Sequence, residues 1–354
     1  MPRTAVLLSG GVDSSVALLR LREQGERDLK AYYLKIWLED ELAFLGTCPW
    51  HEDLEYARRV CDLAGVPLHV ISLQAEYRAR VVEYVVAELR AGRTPSPDVL
   101  CNRRVKFGAF LDQVGRDFQL VASGHYARLE RAPDAVRLLR GVDPIKDQSY
   151  FLCQLDQSQL RRCLFPVGDL TKAKVRELAR GWGLATAERP DSQGICFLGR
   201  VPYDEFIRFH LGQRPGPILE LYSGRRLGDH PGYWFFTIGQ RRGLGLAGGP
   251  WYVAAKDVAA NVIWVTHGSR LRESARRTLR VGAPHWIAGP PACSALLARL
   301  RHGQRLVPCQ VRDLERGDVE IELAEPDPGI APGQFAVLYD DQVCLGGGAI
   351  DAVG

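Results

Sequence analysis

The sequence predicts an α/β protein in which a doubly wound parallel sheet is followed by a small central domain and a C-terminal β-barrel domain. Three observations lead to this prediction. Strand-like and helix-like segments alternate over the first two hundred residues, which is typical of parallel strands joined by crossover helices. A glycine- and serine-rich loop separates the first strand from the first helix, where such folds bind phosphate. From about residue 274, short alternating strands are separated by turns containing glycine or proline, as in a small barrel.

The individual elements follow from the period of the apolar residues. We expect strands over 4–8, 29–37, 68–72 and 119–122, and helices over 14–24, 51–63, 77–89 and 171–182. Asp156 followed by Gln159 has the spacing of a capping box and predicts a further short helix. Later runs such as 233–238 and 319–323 have the alternation of short strands. The change in pattern near residue 200 and again near 274 predicts domains over 1–203, 204–273 and 274–354.

Composition excludes several classes of protein. With 354 residues, of which 46% are hydrophobic and 25% are charged, the chain has the composition of a globular protein rather than a disordered one. No apolar run reaches the roughly 18 residues of a membrane-spanning helix, and the first strand-like run leaves no room for a signal peptide. The nine cysteines are scattered without a C-x-x-C pair, so neither a disulfide framework nor a cysteine-held metal is expected. We expect a cytoplasmic protein with no membrane partner.

The net charge of +4 hides an uneven distribution. Residues 204–312 contain 16 basic and 6 acidic residues, a net charge of +10, whereas residues 313–354 have a net charge of −9. A strongly basic segment in a nearly neutral chain indicates a polyanionic partner, and a solvated basic face balanced by the acidic segment is the alternative. The candidate phosphate contacts are Arg225, Arg226, Arg241, Arg242, Arg276, Arg277, Arg299, Arg301 and Arg305.

The strongest motif is L-S-G-G-V-D-S-S, between the first strand and the first helix. Adjacent glycines let the backbone turn tightly and present N–H groups to an anion, and hydroxyl groups at a helix N-terminus add donors. The loop lacks the lysine of a Walker-type hydrolase and resembles the pyrophosphate loop of ATP pyrophosphatases, which adenylate a substrate and release pyrophosphate. The residues expected to contact ATP are Leu8, Ser9, Gly10, Gly11, Val12, Asp13, Ser14 and Ser15. The loop alone does not identify the substrate.

Two further loops contain a cysteine among polar, proline or glycine residues. In 94–108, Cys101 follows Asp98 by three residues and precedes a basic segment, which predicts a reactive thiol with a lowered pKa. An aspartate within one turn of that thiol could exchange a proton with a bound substrate. In 190–197, Cys196 lies in a glycine-containing loop rather than in an apolar stripe. Considered singly, each cysteine fits a structural role better than a catalytic one.

Taken in order along the chain, the motifs resemble those of a known family. The loops described above are accompanied by S-G-H-Y-A-R at 123–128, K-D-Q-S-Y at 146–150, F-T-I-G-Q-R-R-G-L-G at 236–245 and C-L-G-G-G at 344–348. The whole set is similar to that of the bacterial tRNA-specific 2-thiouridylases (MnmA type). The resemblance spans essentially the entire chain, and several of its motifs are more specific than the ATP loop.

The resemblance implies a reaction in two stages. ATP, with Mg²⁺, would adenylate the C2 oxygen of the wobble uridine of tRNA, and a persulfide sulfur would then replace that oxygen. Cys196 would hold the persulfide, Cys101 would release the sulfur by forming a disulfide with it, and Asp98 would be the acid/base partner. The tRNA substrates would be the lysine, glutamate and glutamine acceptors, and a persulfide-donating cysteine desulfurase or a sulfur-relay protein would supply the sulfur.

The resemblance also extends the set of candidate site residues. Leu34 and Gly124 would join the phosphate loop around ATP. The target base would be surrounded by Ser96, Pro97 and Asp98, and further tRNA contacts would come from Lys146, Asp147, Gln148, Arg301 and His302. Ser96 departs from the family's usual asparagine and Gly194 from a frequent acidic residue, while His302 stands where a tyrosine is usual but can still stack on a base.

Two other functions are compatible with part of the sequence. A related adenylating enzyme that acts on a small metabolite would use the same loop, but it gives no reason for Asp98, Cys101 and Cys196 or for the basic segment. A non-catalytic RNA-binding protein would explain the charge, but not an intact phosphate loop. The aromatic run 234–236 is interpreted as core rather than as a base-stacking surface, because it lies in a strand-like segment.

Overall fold

The protein is described from a computed structural model, over residues 3–36, 50–114, 117–191 and 202–353. Five parallel strands form the first sheet: β1 (Thr4–Leu7), β2 (Leu29–Lys35), β3 (Leu68–Ser72), β4 (Leu120–Ala122) and β7 (Cys163–Leu164). Their order is β3-β2-β1-β4-β7, with every neighbouring pair parallel. The predicted parallel sheet is confirmed.

Helices connect these strands. They are α1 (Val12–Glu23), α2 (Trp50–Ala64), α3 (Gln74–Tyr77), α4 (Glu83–Arg90), α5 (Pro97–Cys101), α6 (Phe110–Val114), α7 (Ser149–Leu152), α8 (Gln157–Leu160) and α9 (Lys172–Gly181). Two π-helical segments, Arg78–Val82 and Asn102–Ala109, join α3 to α4 and α5 to α6. The expected capping box is present at α8, where Asp156 accepts from the backbone N–H of Gln159.

Alternate residues of the strands face two different cores, as a doubly wound sheet requires. Ala5 and Leu7 of β1 pack with residues of α4 and α6, whereas Val6 packs with residues of α1, α2 and α9. Both faces of the sheet are therefore covered by helices. This arrangement leaves the carboxyl ends of the strands as the edge at which ligands bind in such folds.

A smaller sheet follows the helix α10 (Tyr203–Leu211). Its strands are β8 (Gly216–Glu220), β9 (Arg226–His230), β10 (Trp251–Asp257) and β11 (Val262–His267), in the order β10-β11-β8-β9. The predicted strand over 233–238 is wrong, because Tyr233–Phe235 form a 3₁₀ turn. A tertiary contact overrides strand propensity there, because the Tyr233 hydroxyl donates to the Arg90 carbonyl at 2.6 Å and ties the turn to the end of α4.

The C-terminal strands close into a six-stranded antiparallel barrel. They are β12 (Arg276–Val281), β14 (Ala295–Arg299), β15 (Val307–Asp313), β16 (Val319–Asp327), β17 (Phe335–Asp340) and β18 (Val343–Val353). The order is β12-β16-β15-β14-β17-β18, and β12 also pairs with β18, which closes the barrel. The short strand β13 (His285–Trp286) pairs with β18 as well. The predicted barrel is confirmed.

A hairpin from the first part of the chain extends the barrel sheet. Its strands, β5 (Ala127–Arg131) and β6 (Val136–Arg140), pair with each other, and Leu138 and Leu139 of β6 pair with Cys344 and Val343 of β18. The sequence analysis did not predict this connection, because the partners lie about two hundred residues apart and no local pattern specifies such a pairing. Within the described residues, no helix has the length and apolar character needed to cross a membrane.

Candidate functional site

The phosphate loop joins β1 to α1 at the carboxyl edge of the parallel sheet. Ser9 Oγ lies 3.2 Å from Ser14 Oγ, and the backbone N–H of Gly11 donates to Ser9 Oγ at 3.4 Å. The hydroxyl groups of Ser14 and Ser15 donate to the Gly11 carbonyl at 3.1 and 2.8 Å. These bonds hold the loop in a tight turn in which Ser9 is exposed and therefore accessible to a ligand.

Two glycines allow neighbouring backbone segments to pack closely around this loop. Gly10 has a φ of +75°, and a Cβ there would lie 2.2 Å from the carbonyl oxygen of Asp53. A Cβ on Gly124, just after β4, would lie 2.6 Å from the backbone nitrogen of Ser14. Gly124 thus lets the chain after β4 pass directly against the first turn of α1, whose N-terminus donates to phosphate in such folds. Leu34, near the end of β2, lies at the same edge.

Asp13 of the phosphate loop is paired with a lysine that the sequence analysis missed. Lys172 Nζ lies 2.8 and 2.9 Å from the two carboxylate oxygens of Asp13. The Tyr126 hydroxyl donates to the same carboxylate at 2.6 Å. Lys172 is the first residue of α9, whose N-cap, Thr171, accepts from the backbone N–H of Lys174. The fold brings a cation from 159 residues further along the chain to a loop whose own motif contains none.

One feature of the sequence could have identified Lys172: it is a basic residue in the first turn of a helix. The helix dipole favours acidic side chains in that turn, yet α9 has Lys172 and Lys174 there and no acidic residue. Lys174 is exposed and pairs with Glu177 at 2.6 Å, whereas only 13% of the Lys172 side chain is exposed. A cation kept at an unfavourable position, and buried beside a carboxylate, indicates a functional requirement.

Asp191 extends this charge cluster. Its carboxylate lies 2.8 Å from Lys172 Nζ, 2.6 Å from Lys146 Nζ and 2.8 Å from Arg176 Nη2. Burial opposes ionisation of Asp191, but the hydrogen bonds and charges of Lys146 and Lys172 outweigh it and lower the pKa to about 2. The cluster therefore stays charged at neutral pH, and it connects the phosphate loop to Lys146, a predicted tRNA contact.

A second site is a cavity of about 370 Å³ bordered by all three parts of the protein. Ser96, Pro97 and Asp98 line it from the start of α5, and Arg301 and His302 line it from the loop after β14. Asp98 Oδ1 is buried and has no hydrogen-bond partner among the described residues. A buried acceptor without a donor costs about 1–3 kcal/mol, so this oxygen fits a site that a hydrogen-bonding ligand completes. The fold thus brings the predicted base-binding residues beside two predicted tRNA contacts.

Aromatic rings form part of the wall of this cavity. Phe151 stacks on His302 with ring centroids 4.5 Å apart. Trp234 and Phe235 also line the cavity. The interpretation of 234–236 as core agrees with the burial of Trp234 and Phe236, but it missed the position of Trp234 and Phe235 beside the predicted base site.

Comparison with known proteins identifies the family. Residues 2–200 match the family profile described as tRNA methyl transferase HUP domain, residues 204–267 that of the tRNA methyl transferase PRC-barrel domain, and residues 276–350 that of the aminomethyltransferase beta-barrel domain. The chain is 42% identical to tRNA-specific 2-thiouridylase MnmA 1 of Bacteroides thetaiotaomicron, over 98% of this chain and 99% of that protein. The chain belongs to the MnmA family. Identity is 43% to the MnmA of Paracidovorax citrulli and 44% to that of Stenotrophomonas maltophilia, over 99% of this chain and 97% and 94% of those proteins.

In this MnmA-family chain, the structure corrects one expectation about Cys101. The residue is the last of α5, the π-helical segment Asn102–Ala109 follows it directly, and the residue is only 1% exposed. Burial raises the pKa of its thiol to about 11, because the charge of Lys106 opposes this effect only in part and that of Asp98 adds to it. The predicted low pKa is therefore wrong for this conformation. Cys196, the other predicted catalytic cysteine, lies outside the described residues.

The family's predicted tRNA turn, 146–148, contains side chains with different surroundings. Lys146 is partly exposed and pairs with Asp191. The Asp147 carboxylate is fully buried, and Gln148 accepts a hydrogen bond from the backbone N–H of Tyr126 at 3.0 Å. Of the three, Lys146 has the side chain best placed to reach an RNA phosphate, and contact with tRNA through this turn stays a prediction.

Exposed arginines lie along the basic segment, as the charge distribution predicts. The exposed ones include Arg225, Arg226, Arg241, Arg242, Arg276 and Arg277. Neither Arg241 nor Arg242 forms an ion pair with another described residue, so both guanidinium groups are available to phosphate. The prediction is wrong for Arg299, because its side chain is 4% exposed and is paired with Asp147.

Proposed function

We propose that this protein is an ATP-dependent tRNA sulfurtransferase that converts the wobble uridine to 2-thiouridine. The observation that carries the proposal is the pair of sites on one chain: a phosphate loop in which Ser9 is exposed, and a separate cavity that collects Ser96–Asp98, Arg301 and His302. An enzyme that adenylates a base and then exchanges its oxygen needs both a nucleotide site and a pocket for the extruded base. Membership of the MnmA family, whose named relatives are tRNA-specific 2-thiouridylases, supports the same reaction.

ATP would bind at the carboxyl edge of the parallel sheet. The first turn of α1 and the exposed Ser9 would donate to its phosphate groups, and Gly124 leaves the chain after β4 without a side chain beside that turn. Mg²⁺ would bind mainly through phosphate oxygens and water, with Asp13 as the nearest carboxylate of the loop, and would neutralise charge on the departing pyrophosphate. The residues of the chain orient the triphosphate, and Lys172 would stabilise negative charge beside Asp13.

The base site would bind uridine with Asp98 as a proton acceptor and the stacked rings of Phe151 and His302 as one wall. The C2 oxygen of the uridine attacks the α-phosphorus of ATP and pyrophosphate leaves. The terminal persulfide sulfur on Cys196 then attacks C2 and displaces AMP. Cys101 attacks the Cys196 sulfur, which forms a disulfide and releases 2-thiouridine. A thiol reductant must restore both cysteines before the next turnover.

We propose the remaining assignments on the same basis. The divisions at 1–203, 204–273 and 274–354 each contain one of the three sheets, apart from the hairpin β5–β6 that joins the barrel sheet. The tRNA substrates are the lysine, glutamate and glutamine acceptors, and a cysteine desulfurase or a sulfur-relay protein donates the persulfide. The compartment is the cytoplasm, where such tRNAs and a reducing thiol pool are available.

Reconstitution tests the function directly. Purified protein incubated with unmodified tRNA, Mg-ATP and a cysteine desulfurase with cysteine is expected to yield 2-thiouridine in digested tRNA, with AMP and pyrophosphate as products. Nucleoside mass spectrometry measures the thionucleoside, and a tRNA with cytidine at the wobble position is the matched control. Release of ADP and phosphate, or thiolation of the cytidine control, would contradict the proposal.

The basic surface gives a separate prediction about tRNA affinity. Replacing Arg241 and Arg242 with alanine is expected to weaken tRNA binding and to reduce the slope of log Kd against log salt concentration by about one for each phosphate that the variant no longer binds. Filter binding from low to moderate salt measures that slope. Alanine at Arg58 and Arg59, adjacent exposed arginines on α2, is the matched control and should leave the slope unchanged. An unaltered slope in the Arg241 and Arg242 variant would place those arginines away from the RNA.

A further inference from the structure

A buried ion pair joins the turn before α7 to the barrel. Arg299 Nη1 donates to Asp147 Oδ2 at 2.8 Å, and the two side chains are 4% and 0% exposed. Arg140 Nε lies 3.5 Å from the same oxygen. The other carboxylate oxygen accepts the backbone N–H groups of Gly141 and Ser149 at 3.0 and 3.1 Å. The carboxylate thus takes donors from both the first part of the chain and the barrel.

Neutral contacts reinforce the same junction. The hydroxyl groups of Ser149 and Tyr339 lie 3.2 Å apart, and the Tyr150 hydroxyl donates to the Phe335 carbonyl at 3.1 Å. The Arg299 guanidinium lies 5.3 Å from the centre of the Tyr339 ring, within the range of a cation–π contact. The start of α7 is therefore fixed to strands β14 and β17 by polar groups that are buried on both sides.

Each partner of the ion pair leads directly into a wall of the cavity. Two and three residues after Arg299, the chain reaches Arg301 and His302, and four residues after Asp147 it reaches Phe151. All three of these residues line the cavity, and Phe151 stacks on His302. The ion pair therefore lies just before two segments that each contribute one ring, Phe151 or His302, to the stacked pair.

An ion pair is a poor choice for stability alone. Desolvation offsets most of the attraction between buried charges, and apolar residues of similar size often stabilise a protein equally well. What a buried charged pair does provide is a specific placement of its partners, because separating Arg299 from Asp147 would leave two buried charges without compensation. Here that placement relates two segments from distant parts of the chain.

We propose that Arg299, through Asp147, is a positioning residue for the target base, and that it fixes the place of the stacked Phe151 and His302 rings as the wall against which a uracil ring is held. The proposal rests on the proposed function, since it assumes that the cavity receives the base. It also gives Asp147 a role inside the protein instead of in contact with tRNA. Loss of the pair should weaken recognition of the base and leave the attraction of exposed arginines for the RNA backbone intact.

The test compares two forms of one tRNA that differ only at the wobble position, one with uridine and the other abasic. The ratio of their Kd values at fixed salt measures base recognition separately from backbone affinity. Arg299→Gln is expected to reduce that ratio by about tenfold, the order expected for loss of one stacked base. Arg299→Lys, which keeps the charge, should recover part of it. Arg280→Gln, at an exposed pair with Asp318, is the matched control and should behave as wild type.

The outcomes separate this proposal from the proposed function. If the wild-type protein binds both tRNAs equally, the cavity is not the base site and the positioning role is wrong, whereas the reconstituted reaction decides separately whether the proposed function stands. If the wild type discriminates and Arg299→Gln keeps the full ratio, or loses affinity for both tRNAs equally, the positioning role is wrong and the function stands. Should Arg299→Gln fail to fold by thermal melting, Asp147→Asn, which keeps the shape and removes the charge, must show the reduced ratio for the proposal to survive.

Discussion

A Cys101→Ser variant is expected to form no 2-thiouridine and to continue adenylating tRNA. Once the persulfide sulfur has bonded to C2, the link to Cys196 must be broken by a second thiolate, and a serine hydroxyl cannot form the resulting disulfide. Adenylation depends on the phosphate loop and not on a thiol, so pyrophosphate release should persist. Nucleoside mass spectrometry and a pyrophosphate assay on the same samples separate the two stages.

Because Cys101 is buried, we also expect the reactivity of its thiol to depend on bound substrate. Because burial raises the pKa of the thiol to about 11, almost none of it is thiolate at neutral pH in the free protein. Alkylation of Cys101 should be slow at pH 7, should accelerate as the pH approaches 11, and should be faster at pH 7 once tRNA and ATP are bound. Cys293, which is exposed on the barrel, is an internal control for the reagent.

Three variants make the assignment falsifiable. Cys196→Ser should lose both thiolation and persulfide labelling by a cysteine desulfurase, Cys101→Ser should keep the label, and Cys293→Ser should behave as wild type. Thiolation by either of the first two variants would show that another sulfur carrier operates. A label on Cys153 or Cys163, which are both buried, would have the same meaning.

The sequence was sufficient for the parallel sheet, the phosphate loop and the barrel because each has a local pattern. Residues 5–8 are all apolar, which predicts a strand that is buried on both faces. In the structure, Ala5 and Leu7 pack into one core and Val6 and Leu8 into the other. The adjacent glycines and serines of the loop predict a tight turn, because only small residues permit such a backbone conformation. The alternation of 319–323 likewise predicts the strand observed as β16. In each case the information lies within a few residues of the structure that it specifies.

The features that were missed depend on contacts between distant segments. Lys172 has no motif of its own, and only its unfavourable place in the first turn of α9 marks it. Asp147 and Arg299 are both polar residues in surface-like sequence, and their burial results from a junction that neither segment encodes alone. The low pKa expected for Cys101 failed for the same reason: adjacent basic residues favoured the thiolate, but packing against the core excluded the water that would stabilise it.

A Lys172→Met variant is expected to lose adenylation by about a hundredfold or more, the magnitude found when a preorganised electrostatic contact to a developing negative charge is removed. The ammonium group of Lys172 lies between the carboxylates of Asp13 and Asp191. Without this positive charge, the two carboxylates would repel the negative charge of a bound triphosphate. Methionine keeps the length and apolar stem of the side chain and removes only the charge. The rate of pyrophosphate release, measured over a range of ATP concentrations with saturating tRNA, reports the loss.

Lys174→Met is the matched control for Lys172, because it makes the same change two residues away on the same helix, where the lysine is exposed and paired with Glu177. It should adenylate as wild type. Thermal melting distinguishes catalysis from folding: slow adenylation by a Lys172→Met protein that is still folded at the assay temperature shows that the cation is needed for the reaction. Wild-type rates in Lys172→Met would show that the lysine only balances Asp13 and takes no part in the reaction.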